Sequence, residues 1–146
     1  MVCADLVTKN AAVRVLEAGD KPLIPGVARL TLTYNTGTAF SFMAGHPELA
    51  LGLSVTVLVA LLLFVVFAKL KKAETLALGA VIAGGFSNAL ERLMHGSVTD
   101  MLKLEFMSFP VFNFADICVT AGCCVFAVLY LFTGKKEAGS SKKERL

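Results

Sequence analysis

Three long apolar runs divide this chain, and most of its polar residues are crowded into the segments between them. Residues 49–70 (LALGLSVTVLVALLLFVVFAKL) contain no charge before Lys69. At about 1.5 Å rise per residue they cover roughly 33 Å, enough to cross the apolar core of a bilayer. Residues 75–93 form a second run, broken only at its far end by Asn88, Glu91 and Arg92. Polar groups at that depth are costly and mark a site. The third run, residues 116–132 (DICVTAGCCVFAVLYLF), leads into GKKEAGSSKKERL, whose composition predicts a disordered tail. Residues 1–16 carry Asp5, Lys9 and Arg14, and are too short and too charged to span. They have no basic segment ahead of a clean apolar stretch and no cleavage site, so they read as the last turns of a helix rather than a signal peptide. Residues 28–42 alternate Leu30, Leu32 and Tyr34 with Thr31, Thr33 and Asn35 before reaching Gly37, which predicts a strand and turn in a small sheet against the membrane surface.

Composition agrees with membrane residence. The 146 residues are 56% hydrophobic and 17% charged, with a mean hydropathy of +0.73, against about 45–50% apolar and about 25% charged for a soluble domain. A net charge of +3 and long uncharged stretches exclude a disordered chain, a coiled coil and a nucleic-acid-binding module. At roughly 20 residues per span the chain holds one compact unit: a membrane domain over residues 1–133 and a basic tail over 134–146. Lys69, Lys71 and Lys72, and then Lys135, Lys136, Lys142, Lys143 and Arg145, account for eight of the fourteen Lys and Arg residues. The positive-inside rule places both clusters in the cytoplasm, two spans apart. The polar end of the second run then points to the outer side. Cys3, Cys118, Cys123 and Cys124 form no CxxC pair and read as small packing residues.

The chemistry narrows to two acids. Asp100 (in GSVTDML) and Asp116 (in FNFAD) flank an apolar loop, sixteen residues apart, between helices whose ends a hairpin brings together. Two close carboxylates cannot both ionise; the ionised one activates a water and the protonated one polarises a carbonyl, as in an aspartic peptidase. From spacing alone a plainer account stays open, with Asp116 a first-turn acid beside Asn113 at the cap and Asp100 a solvated loop acid. Asn35 likewise suits a turn, Asn88 can join helices next to Gly84 and Gly85, and Arg92 can snorkel. His46 and His95 stand in no HExxH pattern, and there is no GxSxG elbow or phosphate loop.

Four blocks in order carry a resemblance. Tyr34–Phe42 (YNTGTAFSF), Gly84-Gly85 with Asn88 and Arg92, Val98-Thr99-Asp100, and Phe109–Asp116 (FPVFNFAD) resemble lipoprotein signal peptidase, or signal peptidase II, with the likeness running from residue 5 to about 133. The resemblance implies an aspartic endopeptidase of the bacterial cytoplasmic membrane that cuts prolipoproteins before the diacylglyceryl-modified cysteine, with Asp100 and Asp116 as the catalytic pair. It implies substrate-binding roles for Asn35, Gly37, Asn88, Arg92, Asn113 and Asp5, with Gly37 and Ala39 small because a backbone or acyl chain passes close. Where the family has Asp, this chain has Glu91, one methylene longer and so differently placed toward Arg92 or a neighbour. Asp5 is followed by Leu6 where the family has Gln, with Lys9 retained. The family has four spans, and almost all of the first is absent upstream of Asp5, which leaves the Asp5 region poorly held.

The expected protein is therefore a polytopic α-helical membrane protein, an antiparallel transmembrane helix bundle of three full spans plus a truncated N-terminal helix, with a small extracytoplasmic β-sheet. It needs no cofactor or metal, meets membrane lipid and a lipidated prolipoprotein but no nucleic acid, and works as a monomer. Two alternatives stand beside it: an inactive truncated homologue that binds prolipoproteins without cutting them, and a small multi-span transporter subunit that uses the two aspartates as a proton relay.

Overall fold

The computed structural model describes the backbone of residues 1–37 and 46–143, with side chains described as far as residue 132. The second half of the expected strand and turn, residues 38–42 with Ala39, lies outside the described residues. Helix α1 (Val2–Leu16) leads into strands β1 (Lys21–Ile24) and β2 (Ala28–Asn35), followed by helices α2 (Pro47–Phe67) and α3 (Lys72–His95), strand β3 (Val98–Leu104) and helix α4 (Phe114–Lys143). Pro47–Phe67, Lys72–His95 and Phe114–Phe132 are long and apolar enough to cross a membrane. These are the three runs read from the sequence.

Each helix starts and stops for a local reason. Pro47 sits in the first turn of α2, where a missing N–H costs nothing. Helix α3 opens with the Glu74 carboxylate accepting the Lys71 backbone N–H at 2.8 Å, and closes at Gly96, whose φ of 70° suits a residue without a Cβ. Helix α4 differs from expectation at its far end. It runs on to Lys143, where a disordered tail is predicted, because Lys135, Lys136, Glu137 and Ala138 are good helix formers.

Helix α3 is the centre of the bundle and packs on both α4 and α2. Its fit to α4 depends on two glycines. A Cβ on Gly84 would stand 2.5 Å from the Ala115 carbonyl oxygen, and one on Gly122 would stand 2.7 Å from that of Ala77. Small residues let membrane helices approach when lipid supplies no hydrophobic push. Gly122→Ala is expected to force α3 and α4 apart and cost about 1–3 kcal/mol, seen as a lower melting temperature in detergent. An unchanged melting temperature would mean that the contact is soft.

The sheet is antiparallel in the order β1-β2-β3. Thr33 pairs with Asp100 and Asn35 with Val98, which sets the end of β2 beside the start of β3. Met101 and Leu102 donate backbone N–H bonds to the Phe112 carbonyl at 3.0 and 2.8 Å, and Phe112 donates back to Leu102 at 2.9 Å. The chain after β3 thus doubles back along the strand and delivers Asn113 to the start of α4. A short polar clasp braces the other end of the sheet: Glu105 accepts from Arg29 at 2.8 Å and from the Gly26 N–H at 3.1 Å. That pairing holds the exposed Glu105 carboxyl below the usual carboxylate range.

Candidate active site

Polar residues of α1, the sheet, α3 and α4 meet where α3 ends and α4 begins, about five helical turns along α3 from the Lys69–Lys72 turn. Asn113 builds the site. Its side-chain oxygen accepts the Asp116 N–H at 3.0 Å while the Asp116 carboxylate accepts the Asn113 N–H at 3.1 Å, a reciprocal cap on the first turn of α4. The plainer account of Asp116 as a capping acid is therefore correct as local structure, and it is incomplete. The Asn113 amide also donates to Asp100 at 2.7 Å and to the Asn88 oxygen at 3.2 Å, and Asn88 in turn donates to the second Asp116 oxygen at 2.9 Å. One fully buried asparagine ties both carboxylates together.

Asp100 is no solvated loop acid. It lies in β3 and is 2% exposed, held by Asn113 on one oxygen and by Asn35 at 3.1 Å on the other. Burial raises its pKa to about 6; the nearby Asp116 charge adds to the rise, and the Asn35 and Asn113 hydrogen bonds oppose it.

The expected substrate residues divide by what they touch. Asn35, Asn88, Arg92, Asp100 and Asp116 line one cavity of about 820 Å³ whose remaining wall is largely apolar. Gly37 and Asn113 support these residues from behind: the Gly37 N–H donates to Asn35 at 3.0 Å and its carbonyl accepts from Arg92 at 2.6 Å. The Arg92 Nε is buried with no partner among the described residues.

Asp5 takes a different place from the one expected of it. It is 1% exposed, does not line the cavity, and accepts from the Ser87 hydroxyl at 2.7 Å and the Ala115 N–H at 2.9 Å. Its charge thus sits at the N-terminus of α4, where the helix dipole favours an anion. Far from being poorly held, this part of α1 is bonded to α3 and α4 at once.

Two further residues belong to the site. Lys9, 3% exposed, places its ammonium 2.8 Å from Asp5, 2.7 Å from Glu91 and 2.7 Å from the Asn88 oxygen. With that oxygen occupied, the Asn88 amide is left to face Asp116. Glu91 pairs with Lys9 rather than Arg92, and its other oxygen accepts the Thr99 N–H at 3.0 Å, which pins the strand one residue before Asp100. A pair of charges four residues apart on a short helix of a greasy chain was the available signal for Lys9, since charged side chains are rarely buried without partners.

The chain as a whole has known relatives. A family model described as Signal peptidase (SPase) II matches residues 1–132. The lipoprotein signal peptidase of Microcystis aeruginosa is 40% identical over 121 residues, covering 81% of this chain and 78% of that protein. Its counterpart in Chlorobium phaeobacteroides is 32% identical over 143 residues, 89% of this chain and 90% of the other. A solved bacterial membrane enzyme superimposes with a TM-score of 0.82 at 25% identity, over 92% of this chain and 85% of its own. With the fold, the buried polar site and the match over nine-tenths of its length in agreement, this chain belongs to the signal peptidase II family, a family of membrane peptidases.

Proposed function

We propose that this protein is an aspartic endopeptidase that removes the signal peptide of diacylglyceryl-modified prolipoproteins, cutting before the lipidated cysteine. The observation that carries this reading is the pair of carboxylates, buried Asp100 and half-buried Asp116, joined through Asn113 in the wall of a largely apolar cavity. The relatives' names supply the substrate class. Below about pH 6 Asp100 carries the proton the pair needs, and Asp116 serves as the base. As substrate binds, Asp116 takes a proton from a water whose oxygen attacks the scissile carbonyl carbon, and Asp100 gives its proton to the carbonyl oxygen. The tetrahedral diol then collapses: one hydroxyl returns its proton to Asp100 as the C=O bond re-forms, the C–N bond breaks, and the proton held by Asp116 passes to the leaving amine of the cysteine. Asn35, Asn88 and Arg92 line the space the substrate backbone would occupy.

The basic turn and tail are assigned to the cytoplasm, so the site and sheet face outward from the inner membrane. One domain, residues 1–133, does this work as a monomer, with 134–146 as its basic tail. A proton-relay transporter has nothing to favour it, because both aspartates lie at one end of the bundle instead of along a path through it.

The direct test offers purified protein in lipid a prolipoprotein with and without its diacylglyceryl group, with products read by mass spectrometry. Cleavage before the cysteine of the lipidated form alone is expected; no cleavage of either would overturn the reading. The pH profile gives a second test. The pair needs one proton, so kcat/KM is expected to fall as pH rises through about 6, where Asp100 loses it. The Asn35 hydrogen bond holds that value down, so Asn35→Ala is expected to move the alkaline limb to higher pH. A limb that stays still would show that Asp100 does not set it.

A further inference from the structure

Below the two aspartates the cavity continues as a groove with apolar walls: Val57, Leu58 and Leu61 from α2, Val81 and Gly85 from α3, and Ala121 from α4. At Gly85 the wall is bare backbone, and an added Cβ would stand 3.1 Å from Leu58 Cδ2. Beyond the last lining residues, side chains of α2 and α4 meet. Three residues past Leu61 and five past Ala121, the Phe64 ring of α2 meets the Phe126 ring of α4 edge to face, centroids 6.2 Å apart, and Tyr130 stacks on Phe126 at 5.6 Å. From Asp116 to Phe126 is ten residues of helix, about 15 Å.

That depth decides what fits. A signal segment crossing the bilayer needs about 30 Å of apolar length, twice the groove, and the Phe64–Phe126 contact stands across its path. A chain that ends inside the membrane meets no such obstacle. Extended chains advance about 1.2 Å per bond, so about twelve carbons reach from the aspartates to the aromatic contact. The carboxylates themselves are part of the cavity wall, and the lipid of a prolipoprotein begins on the residue next to the bond to be cut. We propose that this groove seats one acyl chain of the substrate's lipid, and that Phe64 and Phe126 set the acyl length the enzyme accepts. The proposal rests on the prolipoprotein reading above and adds to it a specificity determinant.

The experiment uses the full chain in lipid nanodiscs and synthetic lipopeptides with acyl chains of about 8, 12 or 16 carbons, each also made with a photoreactive diazirine at the acyl end. Labelling by the 12-carbon probe is expected at Leu61, Phe64, Ala121 and Phe126. Ala121→Phe and Val57→Phe fill the groove from exposed wall positions, and each is expected to raise KM about tenfold for the 12- and 16-carbon substrates and by a smaller factor for the 8-carbon one, which reaches about 10 Å and ends just past Ala121. Phe126→Ala, which opens the aromatic contact, is expected to shift preference toward 16 carbons. Labels confined to the lipid-facing Phe67 and Leu131, or a length profile that no wall or aromatic variant alters, would overturn the proposal. So would labelling by a diazirine phospholipid that the 12-carbon lipopeptide fails to displace, since the groove would then hold bilayer lipid. Cleavage is scored separately: a lipopeptide that labels the groove and is not cut supports the acyl seat while removing the peptidase reading.

Discussion

Asp100→Asn and Asp116→Asn are each expected to lower prolipoprotein cleavage by about 10³-fold or more with the bundle still assembled. The isosteric amide keeps one oxygen, so residue 116 can still accept the Asn113 N–H that caps α4, and residue 100 can still accept one of its two amide donors. What it lacks is acid–base capacity: the amide can neither take a proton from water at 116 nor give one to the scissile carbonyl at 100. The cost to the fold is a mismatch of two NH2 groups, at 116 against Asn88 or at 100 against Asn35 or Asn113, on the order of 1 kcal/mol. Circular dichroism and gel filtration in detergent check the fold, and mass spectrometry of the product checks the chemistry. Near-normal cleavage by Asp116→Asn would overturn the two-carboxylate mechanism.

The second large effect is expected at Lys9, which touches no substrate and works through its neighbours. Lys9→Met strands Asp5 and Glu91 as buried charges without their cation, and breaking a buried pair in this way costs about 3–5 kcal/mol. The melting temperature in detergent is expected to fall sharply. Two further changes separate a positioning role from a merely structural one. The Asn88 oxygen loses its 2.7 Å donor, so the amide facing Asp116 is less firmly oriented. The Lys9 charge also helps hold the Asp100 pKa down, so the alkaline limb of activity is expected to move up in the variant and to return in Lys9→Arg. A variant that melts like the native protein would show that the buried charges find other partners.

Much of this was legible in the sequence, for identifiable reasons. A bilayer demands long apolar helices, so residues 49–70 and 75–93 announced α2 and α3 to within a few residues, and 116–132 announced α4 at its start though not its run to Lys143. Lipid tolerates few polar side chains, so Asn88 and Arg92 stood out against their surroundings, and Asp100 and Asp116 could be paired once antiparallel helices were assumed. Strand β3 was hidden because the alternation that marks a half-exposed strand is absent: Val98, Thr99, Asp100 and Met101 are all buried. Strand β1 is four residues long and wholly exposed, too little pattern to read. The Lys9–Glu91 pair joins positions 82 residues apart, and only packing α1 against α3 brings them together. Asp5 was assigned to substrate by resemblance, while its geometry shows it bonded to Ser87 and Ala115.

The reciprocal cap between Asn113 and Asp116 has an evolutionary corollary. The atoms that start α4 are also the atoms that present the proposed catalytic carboxylate, so a substitution there damages folding and chemistry together. An inhibitor that draws its affinity from these two side chains would face a target with few viable escape mutations. One that leans on the apolar walls would meet side chains that cap no helix and carry no proton, where exchange for another apolar residue of similar size is tolerated, and resistance would be expected to arise there first.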